Sequence, residues 1–222
     1  IISRLSQRSS QLIIERILKM QKIISWNVAS VRSRLPVLTS FLKQENPDIV
    51  FLQEIKATEE TFPYFDFQIL GYQALISGQK SYNGVAILSK KPLQNPVFSL
   101  FSFEDQARLI QAETKEGLVL ICVYVPNGNP PEKNPSDTSK LEYKLRFMEG
   151  LNQHILKLLN QGKQIIIGGD FNVIEHETDV YNPKDFQKEF FPRGTLWIIL
   201  DKPSEYPDYT RFNPYGLCRK DA

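Results

Sequence analysis

The feature that most constrains the fold is the apolar run Gln164–Val173, which reads Gln-Ile-Ile-Ile-Gly-Gly-Asp-Phe-Asn-Val. Three consecutive isoleucines predict a strand buried on both faces, and the two glycines predict a sharp backbone turn at its end. Because ligands collect at the carboxyl ends of strands in layered α/β proteins, Asp170 and Asn172 are candidate functional residues. The carboxylate can orient a water and the amide can donate a hydrogen bond. An ordinary capped loop with an Asx turn explains this stretch equally well when it is taken alone.

Composition narrows the class of protein. The chain has 222 residues and is 41% hydrophobic, which predicts one large domain with a substantial core. Its net charge of +2 excludes a protein that coats a polyanion through overall charge, but not a nucleic-acid enzyme with acidic ligands. The two cysteines, Cys122 and Cys218, are too few for a disulfide framework and favour a reducing compartment, the cytoplasm. No apolar run is long enough to span a membrane.

The amino end differs in composition from the rest. Residues 1–19 contain Arg and Ser with a single acidic residue, Glu15, which is typical of an amphipathic targeting segment. The alternative is that the domain begins at Met20, directly before a strand pattern. We favour this alternative, and therefore interpret residues 1–19 as an extension outside the fold and residues 20–222 as the domain.

The domain opens with a predicted strand-helix-strand unit. A strand over residues 22–26 is followed by helical spacing of apolar residues over 31–45 and by a second buried strand over 49–53. Asn27 and Glu54 then stand at the carboxyl ends of neighbouring strands. Amide and carboxylate oxygens are hard ligands that suit Mg²⁺. The alternatives are a turn-forming asparagine and a surface carboxylate.

The middle of the chain predicts further strands. Residues 57–80 are interpreted as a loop with aromatic packing, and 82–89 as a turn leading into a strand. Alternation over 107–113 and an apolar run over 118–125 complete a set of antiparallel hairpins. Arg108, at the head of one strand, is a candidate phosphate clamp, and a surface ion pair is the alternative.

A second polar strand end follows the run over 118–125. Tyr124 ends it, and Asn127 lies in the Pro-Asn-Gly turn beyond. The tyrosine hydroxyl and the asparagine amide can donate hydrogen bonds to a phosphate oxygen. A core tyrosine followed by an ordinary turn explains the same residues equally well. An amphipathic helix from Leu141 to Leu159 then leads into the run at Gln164–Val173.

Six motifs follow one another along the chain: Ser-Trp26-Asn27-Val, Leu-Gln53-Glu54-Ile-Lys56, Tyr82 to Ser89, Ala-Arg108-Leu-Ile, Tyr124-Val-Pro-Asn127-Gly and Gly-Gly-Asp170-Phe-Asn172-Val. In this order they resemble the exonuclease III family of apurinic/apyrimidinic endonucleases, part of the larger endonuclease/exonuclease/phosphatase superfamily. The Tyr-Val-Pro-Asn form favours the DNA-repair branch over the lipid and inositol phosphatases.

This resemblance implies a fold and an activity. The fold is an α/β four-layered sandwich, with two mixed sheets packed face to face and helices outside, similar to the DNase I-like fold. The activity is a Mg²⁺-dependent DNA phosphodiesterase, with Mn²⁺ as an alternative metal. Its substrate is double-stranded DNA, cleaved at abasic sites and trimmed at 3′ ends, and the protein is expected to be a cytoplasmic monomer.

The resemblance also implies roles for individual residues. Asn27 and Glu54 match the metal-binding pair, and Asp170 and Asn172 stand beside them as further candidate ligands. Tyr124 is similar to the tyrosine that contacts the scissile phosphate. Asp170 resembles the carboxylate that positions or deprotonates the attacking water, and Asn172 the amide that steadies the transition state.

Arg108 and Asn127 resemble residues that contact DNA. Beyond Pro183 the resemblance fades, and the family's Trp-Asp-Tyr segment, Arg-Ile-Asp strand and terminal Ser-Asp-His are not found. His176 does not match the missing histidine. The sequence thus predicts a domain truncated at its carboxyl end that lacks the last strands. The alternatives are an inactive remnant that at most binds DNA, or a phosphatase of the same superfamily.

Overall fold

The computed structural model describes most of the domain, and for its last range the backbone alone. The predicted extension over residues 1–19 lies outside the described residues, as does His176. Among the residues that the structure describes, no helix is both long and apolar enough to cross a lipid bilayer. The described ranges are 22–129, 131, 133–172 and 195–200.

The first sheet contains four strands in the order β1-β2-β4-β3. The first two strands are parallel and the other two pairings are antiparallel. Helix α1 (Val31–Glu45) connects β1 to β2, as predicted. The strands are β1 (Ile23–Asn27), β2 (Ile49–Gln53), β3 (Gln73–Ser77) and β4 (Val85–Ser89).

The second sheet contains five strands in the order β5-β6-β7-β8-β9. Among the strands described in this sheet, only β7 and β8 are parallel. Helix α3 (Ser139–Asn160) forms the crossover connection between them. The strands are β5 (Gln94–Val97), β6 (Leu109–Glu113), β7 (Val119–Tyr124), β8 (Ile165–Asp170) and β9 (Thr195–Leu200).

Two interpretations of the middle of the chain are wrong. Residues 57–80 are not a loop, because they contain a 3₁₀ turn at Glu59–Thr61, helix α2 (Tyr64–Ile69) and strand β3. A helix of six residues is too short to display a helical period in the sequence. The strands do not form one run of hairpins either, since β4 pairs with β2 and β3 while β6 pairs with β5 and β7.

The two glycines in the run Gln164–Val173 do not form the predicted turn. Gly168 and Gly169 continue β8 and pair with Cys122 and Val123 of β7. A Cβ atom on Gly169 would lie 1.9 Å from the carbonyl oxygen of Val123. Glycine is therefore required by the close approach of the two backbones, and the strand runs on to Asp170.

The apolar residues divide into three clusters that define four layers. One cluster lies between the sheets, where Phe51, Leu120 and Ile166 meet. A second covers the outer face of the first sheet beneath α1 and α2, and a third packs α3 on the outer face of the second. Strands buried on both faces explain the continuous apolar runs in the sequence. The predicted four-layered α/β sandwich is confirmed.

Strand β9 lies in the region where the sequence motifs fade. It pairs antiparallel with β8, with Thr195 opposite Asp170 and Leu200 opposite Ile165. Since β7 pairs with the other side of β8, β8 has a neighbouring strand on both sides. Although the sequence predicted that the last strands are missing, β8 therefore has a pairing partner on each side.

Candidate active site

Side chains from four strand ends meet at one edge of the sandwich. Asn27 ends β1, Glu54 follows β2, Tyr124 ends β7 and Asp170 ends β8. The Nδ2 atom of Asn27 donates to Glu54 Oε1 at 2.9 Å and to Asp170 Oδ2 at 2.8 Å. The Tyr124 hydroxyl donates to Glu54 Oε1, also at 2.9 Å. Residues up to 143 positions apart in the sequence thus share one cluster.

Glu54 has a backbone conformation that residues other than glycine rarely adopt. Its φ is +52°, and its main-chain oxygen accepts from Ser30 at 2.8 Å. Burial opposes ionisation of the carboxyl, but hydrogen bonds from Asn27, Lys56 and Tyr124 together outweigh it and lower the pKa of Glu54 below its ordinary value. Such local strain persists where the surrounding contacts fix it, and it occurs often at functional sites.

Tyr124 remains protonated and acts as a hydrogen-bond donor. Burial, followed by the negative charge of Glu54, raises the pKa of the Tyr124 hydroxyl. The Arg108 guanidinium lies 4.9 Å from the centre of the Tyr124 ring, and its NH1 donates to the Tyr124 main-chain oxygen at 3.1 Å. The arginine therefore fixes the strand end that carries the tyrosine.

Asp170 and Asn172 form the turn that leaves β8. The Asn172 amide N donates to Asp170 Oδ1 at 2.9 Å, and Asn172 Nδ2 donates to the Val125 main-chain oxygen at 2.7 Å. Both side chains are buried. The Asx turn, which was the alternative interpretation of this stretch, is therefore present. The second carboxylate oxygen of Asp170, Oδ2, accepts the hydrogen bond from Asn27.

The two candidate DNA contacts lie on the segments beside this cluster. Gln106 accepts from Arg108 Nε at 3.0 Å and from Asn83 Nδ2 at 2.8 Å, which joins the turn before β4 to the arginine. Asn127 is half-buried, and its Oδ1 accepts from the Asn129 N–H at 3.2 Å. Arg108 contacts Tyr124 and Asn127 lies three positions after it in the chain, and the roles of both residues toward DNA stay predictions.

Comparison with known proteins identifies the family. The model of the Endonuclease/Exonuclease/phosphatase family matches residues 24–219. The chain belongs to the endonuclease/exonuclease/phosphatase family. This match extends past Pro183, beyond which the six motifs fade, to residue 219.

Individual members of the family are similar over most of this chain. It is 32% identical to exodeoxyribonuclease III of Haemophilus influenzae over 204 residues, covering 88% of this chain and 73% of that protein. A solved AP endonuclease from Archaeoglobus fulgidus has a TM-score of 0.67 and 35% identity, covering 77% of this chain and 64% of the other. A 3′ phosphatase from Neisseria bound to a product DNA hairpin has a TM-score of 0.67 and 33% identity, covering 76% and 64%. The chain thus spans slightly less than two thirds of these two solved proteins.

Sequence reasoning gave no role to two lysines that lie beside the cluster. The Lys56 ammonium lies 3.1 Å from Glu54 Oε2, and Lys144 is fully buried, with its Nζ 2.6 Å from the Asn172 main-chain oxygen. Helical periodicity provides a signal for Lys144, which precedes the buried Phe147 by three positions and so falls on the apolar stripe of α3. Lys56 had appeared within a motif but had no separate signal.

The donor set fits a hard divalent cation. Glu54 and Asp170 present carboxylate oxygens on either side of one amide, and the Lys56 ammonium shows that a positive charge is accepted beside Glu54. In the part of the chain described, no three His, Cys, Asp or Glu side chains form a metal-binding group, so carboxylates would share the ion with amides or water. Asn27 Nδ2 donates to the two carboxylates, and Asn27 Oδ1 accepts from the Ala29 N–H. Rotation of the side-chain amide by 180° would place Oδ1 where it could bind a cation.

Proposed function

We propose that this chain is a divalent-metal-dependent DNA phosphodiesterase that cleaves at abasic sites and trims 3′ ends. The observation that carries the proposal is the meeting of Glu54, Asp170, Asn27 and Tyr124 within hydrogen-bond distance at one edge. The names of the family members, an exodeoxyribonuclease III, an AP endonuclease and a 3′ phosphatase with a DNA product, support this choice of substrate.

Charge explains why a metal belongs to this proposal. A phosphodiester is an anion, and the carboxylates of Glu54 and Asp170 repel it unless a cation lies between them. A bound Mg²⁺ or Mn²⁺ would supply that charge and stabilise the negative charge that develops during hydrolysis. Glu54 and Asp170 would hold the ion, and Asn27 would contribute its oxygen after reorientation of its amide.

The remaining groups act on the phosphate and the water. Tyr124 keeps its proton and donates to a phosphate oxygen, with its ring fixed by Arg108. Asp170 orients the attacking water and accepts its proton. Asn172 uses one amide hydrogen on Val125, and its second hydrogen is directed to an oxygen of the transition state.

Recognition of DNA uses the segments that surround the cluster. Arg108 and Asn127 are assigned to phosphate contacts, where a guanidinium provides several donors in a fixed plane. A baseless sugar enters the site more easily than an intact nucleotide because its stacking is already lost. We further propose that the protein acts as a monomer in the cytoplasm on double-stranded DNA.

A duplex with one internal abasic analogue tests the function. The 222-residue chain is expected to cleave it with Mg²⁺, to lose cleavage with a chelator, and to lose at least about 100-fold in turnover on Asp170→Asn. Asp48→Asn is the matched control and should retain activity, because this carboxylate lies directly before β2 in the other sheet, at the opposite end of the sandwich. Binding without cleavage by the wild-type chain would support the inactive remnant instead.

Removal of a 3′ phosphate from DNA is a second candidate function. The Neisseria relative named as a 3′ phosphatase favours it, since its fold superposes on this chain with a TM-score of 0.67. A duplex bearing a 3′ phosphate at a nick separates the two activities. Release of inorganic phosphate without cleavage of the abasic duplex would make the phosphatase the main activity.

A further inference from the structure

Lys144 is an interior lysine that none of the roles above uses. It lies on α3, its side chain has 0% exposure, and its Nζ donates to the Asn172 main-chain oxygen at 2.6 Å. Burial lowers its pKa to about 8, and the nearby Asp170 charge acts in the opposite direction. A charged amine is costly to bury, whereas methionine would fill the same volume without that cost. The amine therefore has a task that apolar packing does not perform.

The loop after β7 is shaped around the stem of this lysine. A Cβ atom on Gly128 would lie 2.8 Å from Lys144 Cδ, and the φ of Gly128 is +75°. Glycine is thus required here both by the backbone conformation and by the lysine stem. Lys144 contacts the segment that begins at Tyr124 and includes Asn127.

The other end of the lysine fixes the turn after β8. Asn172 has a φ of +50°, and three hydrogen bonds hold it: from Lys144 to its main-chain oxygen, from its N–H to Asp170, and from its Nδ2 to Val125. Asp170 and the loop after Tyr124 are therefore joined through Asn172. Without the bond from Lys144, one of these restraints on a strained backbone position is lost.

We propose that Lys144 is a positioning residue for the phosphodiesterase reaction, holding the Asp170–Asn172 turn against the loop that follows Tyr124. It acts through Asn172 and does not touch the substrate. The inference rests on the proposed function, because the geometry it fixes matters for turnover only if Asp170 and Tyr124 act on a phosphodiester. A displacement of about 1 Å at such groups can cost on the order of 100-fold in rate.

Lys144→Met tests the proposal, with Lys157→Met as the matched control, because Lys157 is an exposed lysine on the same helix. On the abasic duplex with Mg²⁺, we expect Lys144→Met to lower kcat by about 100-fold with little change in KM, since positioning affects the transition state more than binding. Lys157→Met should match the wild-type chain. A folded Lys144→Met protein with wild-type kcat would overturn the proposal.

A double-variant cycle separates positioning from a general structural effect. Asn172→Ala keeps the main-chain oxygen that Lys144 contacts but removes the side chain that the turn positions, so adding Lys144→Met to it should reduce kcat less than in the wild-type background. Full multiplication of the two losses would contradict this route. If Lys144→Met fails to fold, Gly128→Ala displaces the lysine stem while keeping the amine, and a folded Gly128→Ala protein with wild-type kcat would equally overturn the proposal.

Hydrogen exchange gives a readout that does not depend on activity. Lys144→Met should speed exchange of the Asn172 amide, which donates to Asp170, and leave the strands β1 to β4 unchanged. If the wild-type and Lys157→Met chains both fail to cleave DNA, the proposed function fails, and the exchange result still decides the role of Lys144. Unchanged exchange in Lys144→Met would count against that role.

Discussion

The two ends of the strands carry similar residue types in contrasting arrangements. At the site end, the carboxyl ends of β1, β2, β7 and β8 bring Glu54 and Asp170 to a single shared amide. At the opposite end, where these strands begin, charges form separate pairs such as Lys22 with Glu45 and Lys163 with Glu113. At the site end two carboxylates share one amide donor beside the Lys56–Glu54 ion pair, whereas at the opposite end the carboxylate of each pair contacts one lysine.

The opposite end also contains a cleft between the two sheets. It has a volume of about 510 Å³ and includes three lysines together with Asp48 and Glu116. Lys90 there donates to the main-chain oxygen of Asn46 and faces the Tyr72 ring. A cavity is therefore not what distinguishes the functional end. The difference is that Glu54 and Asp170 at the site end accept hydrogen bonds from the same Asn27 amide, an arrangement of carboxylates that suits a cation.

The largest expected effect is at Glu54. Glu54→Gln removes one of the two carboxylates that face each other and should lower turnover on the abasic duplex by about 100-fold or more. Glu113→Gln, which breaks an ion pair at the opposite end, should leave turnover unchanged. Steady-state kinetics on both variants test the contrast, and comparable losses in the two would abolish it.

Two tyrosines, one partly buried at the site end and one buried at the opposite end, give a second test. Tyr124 donates to the Glu54 carboxylate, whereas Tyr72 at the opposite end donates to the Pro47 main-chain oxygen at 2.6 Å. Tyr124→Phe should lower kcat by about 100-fold. Tyr72→Phe should keep kcat and reduce the free energy of unfolding by about 1 kcal/mol. Urea unfolding and kinetics on each variant measure both quantities, and a kcat loss confined to Tyr72→Phe would reverse the assignment of the two ends.

The meeting of most candidate site residues was predictable from the sequence because these residues directly follow buried strands. Asn27, Glu54 and Tyr124 each end an apolar run, and the meeting of such ends follows from α/β layering. The positive φ of Glu54 and the amide orientation of Asn27 were not predictable, because both depend on neighbours distant in sequence. Lys144 was missed since a lysine among apolar residues on a helix is read as a solvent-exposed charge.

The layers of the fold were predicted, but several of its elements were not. Helix α2 is too short to show a period, and β5 contains Pro96 and lies at the edge of its sheet, where proline is tolerated. Gly169 was assigned to a turn because the close approach of Val123 is a contact between strands that local sequence does not reveal. The assignment of each strand to one of two sheets likewise depends on long-range pairing.

The pH dependence of stability should distinguish Tyr72 in a further way. Burial, followed by the charge of Asp48, raises the pKa of Tyr72 to about 12, above its value near 10 in an unfolded chain. The folded state thus binds the proton more tightly, so this stabilisation is complete below about pH 10 and is lost as pH rises toward 12, at about 1.4 kcal/mol per unit. Tyr72→Phe should lose less stability over this interval in urea titrations, and parallel curves for the two proteins would contradict the shift.

The smallest expected effect is from an ion pair at the opposite end. Lys163 Nζ lies 3.1 Å from Glu113 Oε2, with both side chains partly exposed. Lys163→Met should change the free energy of unfolding by at most about 1 kcal/mol, and less at high salt. Thermal unfolding at low and high salt measures it. A larger loss would show that the opposite end is as tightly coupled as the site end.

The central claim is that Glu54 and Asp170 hold one divalent cation at the site end. Anomalous scattering from a crystal of the chain grown with Mn²⁺ tests it most directly, because the metal position is observed without reference to activity. The account predicts one strong peak between the Glu54 and Asp170 carboxylates, with Lys56 displaced from Glu54, and no peak in a Glu54→Gln crystal. A peak only at the opposite end, or none where the two carboxylates face each other, would contradict it.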